Sequence, residues 1–113
     1  MSRSDRVRRA RVYCLGVPAG ELSELSEGGF EFRYLPDYLE NPRLPAISLT
    51  FPRQPDPYRS PVLFSFFFGL LAEGENKAIQ CRVLQIDERD HFTRLLRTCA
   101  TETIGGVTVR ELQ

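Results

Sequence analysis

The run at residues 60–74, SPVLFSFFFGLLAEG, is the longest apolar stretch of the chain and holds four of its eight phenylalanines. A chain of 113 residues builds one core, and that core must cover this much aromatic surface. Ser60 suits an N-cap and Pro61 the first helical position, so a helix is predicted to start there. Leu63, Phe66, Phe67, Leu70 and Leu71 recur three and four residues apart, the spacing of one helical face. Phe64 and Phe68 fall on a neighbouring face, so the helix is apolar over most of its circumference. Such a helix is either buried on several sides or shares a face with another protein. At about 10 to 12 residues it is too short to cross a bilayer, which takes roughly 20.

Charge and cysteine content narrow the class. Lys plus Arg and Asp plus Glu number 15 each, and this balance argues against bulk nucleic-acid binding. The cysteines are Cys14, Cys81 and Cys99, with no CxxC pair, and His91 is the sole histidine. Zinc needs four ligands, usually in short paired spacings, and these are absent. The three cysteines read as small buried hydrophobes in a reducing compartment. No apolar segment follows the basic start, so no secretory signal is expected and the predicted location is cytoplasmic.

Residues 1–9 carry Arg3, Arg6, Arg8 and Arg9 and read as a flexible basic tail, with an arm that touches nucleic acid or an acidic partner as the alternative. ARVYCL at 10–15 alternates as a strand does. Gly16, Pro18 and Gly20 predict a turn, residues 21–24 a short returning strand, and 26–29 another turn. Phe30, Phe32 and Tyr34 alternate with Glu31 and Arg33 in a half-buried strand, completing an antiparallel meander. Residues 36–46 form a connection with one helical turn at 37–40. Ile47, Leu49 and Phe51 alternate as a further strand. The prolines at 52, 55 and 57 make 52–59 an extended loop.

A second helix is expected after Gly74, over ENKAIQCRVLQI. Asp87 is the predicted N-cap of a third, from Glu88 to Cys99, burying Phe92, Leu95, Leu96 and Cys99. Arg94 and Arg97 are expected away from that face. A loop at 101–106 leads to a last strand, VTVREL, joining the N-terminal sheet. The expected fold is α+β: a mostly antiparallel sheet, the N-terminal meander plus the C-terminal strand, packed with about three helices. Residues 10–113 make one domain.

Catalytic constellations are missing from the pattern. The glycines form neither GxGxxG nor GxxxxGK[ST] and read as turn residues. Asp87, Glu88 and Asp90 open a helix, where acids belong. His91 reads as an ordinary polar residue. The chain is expected to be no enzyme and to use no cofactor or metal. The LLAEG turn that ends the aromatic run reads either as a simple helix stop or as an exposed ledge that docks on a partner.

Six landmarks then occur in one order: GELSE at 20–24, FEFRYLPDYL at 30–39, AISLTFP at 46–52, FFFGLLAEG at 66–74, IDERDHFTRLL at 86–96 and TIGGVTV at 103–109. Together they resemble the N-terminal subdomain of HipA-type serine/threonine kinases of bacterial toxin–antitoxin systems. The sequence departs from that pattern where Ala72 replaces the family's usual proline, Glu102 stands near its aspartate and Gly106 replaces an alanine. The nucleotide loop, catalytic aspartate and metal ligands of such kinases have no counterpart here. The resemblance thus implies a non-catalytic HipS-like regulatory subunit, in the role of antitoxin, that binds a separate HipA- or HipT-type kinase. A HipB-like DNA-binding protein is a possible third member of the complex. A structural assembly module and a DNA-contacting part of operator autoregulation are the alternatives. The docking residues implied are Phe64, Phe68, Leu71, Ala72, Glu73, Gly74, Glu75 and Asn76.

Overall fold

The computed structural model describes residues 6–71, 74–99 and 106–112. Its strands are β1 (Arg6–Cys14), β2 (Val17–Leu25), β3 (Phe30–Tyr34), β4 (Tyr58–Ser60) and β5 (Val107–Leu112). Its helices are α1 (Pro36–Glu40), α2 (Ser65–Phe68), α3 (Gly74–Leu84) and α4 (His91–Thr98). The strands form one antiparallel sheet in the order β4-β3-β2-β1-β5, so the α+β expectation holds.

The first hairpin is longer than its sequence suggests. The turn shrinks to Leu15 and Gly16, with φ of 52° and 83°, as a tight two-residue hairpin requires. Strand β1 starts at Arg6, so Arg6, Arg8 and Arg9 belong to the sheet and not to a basic tail. Pro18 and Gly20 lie inside β2. The register slips between Val12 and Tyr13, and Pro18, which has no N–H to give, sits at that irregularity. Gly20 faces β3 so closely that a Cβ would stand 2.6 Å from the Arg33 carbonyl oxygen and from the Phe32 ring. The glycine is there for proximity and not for a turn.

One predicted strand is absent and one predicted helix is cut short. Residues 47–51 form turns instead of a strand. Ile47 and Phe51 are buried while Leu49 is fully exposed, a four-residue spacing that imitates alternation. The edge of β3 is taken by Tyr58–Ser60, which pairs with Phe30, Glu31 and Phe32. The expected long helix from Pro61 is only the single turn Ser65–Phe68, closed by Gly69. Ser60 accepts instead from Val62 N–H at 3.3 Å. Breaking the helix gathers the rings: Phe64, Phe66 and Phe67 all reach Phe51, with centroids 5.1, 6.1 and 5.7 Å away. A straight helix would have splayed them around its axis.

Helix α4 is capped by Asp90, three residues past the predicted cap. Its Oδ1 accepts from Thr93 N–H at 3.2 Å, and its Oδ2 from the Thr93 hydroxyl at 2.7 Å. Asp87 closes the preceding turn by accepting from Arg89 N–H at 2.8 Å. Phe92, Leu95, Leu96 and Cys99 are buried as expected, and so is Arg94, against expectation. Strand β5 pairs with β1 from Cys14 to Arg9 and ties the two ends of the described chain together. The predicted loop at 101–106 lies outside the described residues up to 105.

The core sits on one side of the sheet. Ala10, Val12, Leu22, Phe32, Tyr34 and Val109 supply its floor, and Phe67, Phe92 and Leu95 its cover. Phe32 meets Phe67 at 5.7 Å, and Phe30 meets Phe92 at 5.5 Å.

Candidate partner-binding surface

The residues expected to dock a partner divide between inside and outside. Leu71 is buried in the core. Phe64 is half-buried, edge-on to Phe51 at 5.1 Å. Leu71 has its apolar surface occupied by this chain, and Phe64 has part of its own so occupied. Phe68 is different: it is 37% exposed, and its ring meets the His91 imidazole edge-on at 4.8 Å. Asn76 is exposed. Gly74 and Glu75 open α3, and only their backbone is described. Ala72 and Glu73 lie outside the described residues.

Helix α3 adds residues that the sequence reading did not select. Ile79 and Val83 are 53% and 73% exposed. With Asn76 they are spaced three and four residues apart and share one stripe. Cys81, on the opposite side, is buried, and Ala78 beside it is half-buried. The helix therefore has apolar groups on two faces and buries one. The sequence signal is the weak amphipathicity of GENKAIQCRVL, in which apolar residues fall on both sides.

Helix α4 fixes the Phe68 end of this surface, and Arg8 fixes α4. Arg8 Nε donates to Glu24 Oε1 at 2.8 Å and Nη1 to the Thr93 hydroxyl at 2.7 Å. Its guanidinium lies 4.9 Å from the centre of the Phe92 ring and 3.8 Å from Asp90. The hydrogen bond to Glu24 raises the Arg8 pKa further. An arginine read as part of a mobile terminus thus joins β1 and β2 to the start of α4.

His91 stands at that start with Nδ1 3.3 Å from Arg94 Nη1. Burial holds its pKa below the ordinary value; the Arg94 and Lys77 charges add to this, and Asp90 opposes it. The imidazole is neutral at neutral pH and packs on Phe68 as an uncharged ring.

Two concavities flank these elements. One of about 610 Å³ opens between α3 and the 86–89 turn and is lined by Cys81, Arg82, Ile86 and Asp87 among others. The other, about 210 Å³, lies across the sheet beside Glu21, Ser23, Glu31 and Arg33. Among the described residues no group of three or more His, Cys, Asp or Glu side chains is placed to hold a metal ion. No described helix is long and apolar enough to cross a membrane.

Comparison with known proteins agrees with the fold. The profile of the family described as HipA N-terminal domain matches residues 10–110. An uncharacterized protein of Haemophilus influenzae strain Rd is 36% identical over 107 residues, covering 95% of this chain and 95% of its own. Among solved structures, the N-terminal domain of HipA toxin superposes with a TM-score of 0.71 at 32% identity, covering 96% of each chain.

Proposed function

The chain belongs to the HipA N-terminal domain family, and from that premise we propose that it is a non-catalytic, HipS-like regulatory subunit that binds a separate HipA- or HipT-type serine/threonine kinase and restrains it as an antitoxin. The observation that carries this reading is coverage. The domain spans residues 10–110 here, and the Haemophilus relative aligns with this chain over 95% of its own length, so in that relative little lies outside the aligned region. A domain that packs against a kinase within one chain needs an apolar docking face, and keeps that face when the two are separate polypeptides. The part-exposed ring of Phe68 with the Asn76, Ile79 and Val83 stripe is the best surface for that role.

Co-expression with a HipA- or HipT-type kinase from the same organism tests the reading. Purification through this protein, with autophosphorylation and growth arrest as readouts, should give a complex and relieved arrest. Phe68→Asp should abolish co-purification while the thermal melt of the isolated protein shifts little, since the ring is already part-exposed. A complex with undiminished arrest would favour the structural assembly module. Absence of any complex would overturn the proposal.

A further inference from the structure

Leu71 and Phe92 are both buried in the core. Among the described side chains from 76 to 91, Cys81 alone is buried, while Ala78 and Ile86 are half-buried. Cys81 also stands apart from the contiguous core, to which Cys14 and Cys99 both belong. Helix α3 lies in the middle of this stretch, and its 11 residues leave Ile79, Val83 and Leu84 exposed. Helix α4, with 8 residues, buries Phe92, Arg94, Leu95 and Leu96. The two helices are therefore held to very different degrees. A helix shorter than about 12–15 residues is marginal in water unless packing supports it. Four large side chains give α4 that support, and one small thiol side chain gives α3 little of it.

The C-terminal end of α3 is also weakly specified. The chain leaves the helix through Gln85, whose φ is 58°, a left-handed conformation where glycine is the usual choice. Ile86 N–H donates to the Cys81 carbonyl at 2.8 Å and closes the last turn. Past it, the concavity of about 610 Å³ occupies the space between α3 and the 86–89 turn. That turn is held by its own bonds, with Asp87 accepting from Arg89 N–H at 2.8 Å and its carbonyl from Asp90 N–H at 2.9 Å.

We propose that α3 and the 86–89 turn form a strap that opens on its own: in the free protein they unfold and reclose while the sheet and α4 stay folded, with Leu71 and Phe92 as the anchors on either side. Segments with few buried apolar contacts open locally at a small fraction of the global stability. The stripe of Asn76, Ile79 and Val83 exists only while the strap is closed. A partner that covers the stripe selects the closed form, and its affinity falls in proportion to the open fraction. That consequence rests on the kinase-binding reading; the opening itself does not.

The test uses the isolated protein and no kinase. Amide hydrogen exchange at several low urea concentrations should show α3 exchanging at least about a hundredfold faster than β1 and α4. Its rate should depend little on urea, because a local opening exposes little surface. Iodoacetamide labelling read by peptide mass should reach Cys81 at least about tenfold faster than Cys14 and Cys99. Gln80→Pro, at the centre of α3, should bring Cys81 labelling up to the rate of the urea-unfolded chain and leave the urea midpoint of the rest unchanged. Amides of α3 as protected as those of β1, or a midpoint that falls with Gln80→Pro, would each overturn the proposal. So would fast labelling of Cys81 beneath protected α3 amides, which would mean that the reagent enters through the concavity without any opening. Failure to capture a kinase, with the exchange and labelling results as expected, would remove the antitoxin reading and leave the strap standing.

Discussion

The Tyr34 hydroxyl accepts from Ile47 N–H at 3.0 Å and donates to the Phe51 carbonyl at 2.5 Å, so one buried side chain satisfies both ends of an irregular loop. Tyr38 donates to the Pro45 carbonyl at 2.5 Å, and Arg53 Nη2 donates to the Tyr38, Leu39 and Asn41 carbonyls at the end of α1. These bonds do for residues 41–57 what a ladder does for a strand. Tyr34→Phe leaves the Ile47 N–H and the Phe51 carbonyl without that partner. It should cost about 1–3 kcal/mol in urea denaturation, near the desolvation cost of an orphaned buried group. His91 gives a second prediction at this scale. Its pKa in the fold lies below the ordinary 6.5, so the unfolded chain binds the proton first. The His91 contribution is at its full value above pH 6.5 and is lost as the pH falls from there through the folded-state value. The urea midpoint of the parent protein should therefore drop more between pH 7.5 and pH 5 than that of His91→Gln. Equal drops would remove His91 from the account.

At the scale of elements, α4 illustrates how a cap is chosen. Asp87 and Asp90 are both acceptable N-caps by type, and both lie just before the apolar pattern of Phe92, Leu95 and Leu96. Asp90 wins because Thr93 answers it with both backbone and hydroxyl, and because Arg8 holds the same group from the sheet. Asp90→Ala should cost about 1 kcal/mol in chemical denaturation. Asp87→Ala, whose carboxylate is exposed and serves only the local turn, should cost distinctly less. The reverse order would restore the cap to Asp87. The aromatic run makes the complementary point. Its leucine and phenylalanine spacing is helical, yet one turn of helix forms, because ring contacts with Phe51 and Phe32 outweigh the few intrahelical bonds a longer helix would add.

The whole molecule closes through β5. Val107 and Val109 are buried, Val109 N–H donates to the Cys99 carbonyl at 2.7 Å, and the strand covers the edge of β1. Truncation before Val107 strips two core residues and opens that edge, so the far-ultraviolet dichroism of the shortened protein should lose its cooperative melt. A retained melt would mean that the meander folds without its last strand. Local patterns determined much of this architecture: the period-two alternation of Phe30–Tyr34, the buried face of α4, the turn at 26–29 and the return of VTVREL to the sheet. These features depend on neighbours in sequence, through strand or helix periodicity and the backbone freedom of glycine. Phe68 was legible as a docking candidate in the same way, from its place beside the main apolar face. What only the tertiary structure decided depends on distant partners: that Leu71 turns inward and Phe64 packs half-buried on Phe51, that Tyr58–Ser60 takes the sheet edge instead of residues 47–51, that Gly20 is needed where β2 and β3 approach, and that Arg8 ties the sheet to α4 while Arg9 and Arg11 lie on the face opposite the core. The same alternation is compatible with two edges and the same arginine with solvent or a carboxylate, and the choice falls to whichever contact forms across the fold.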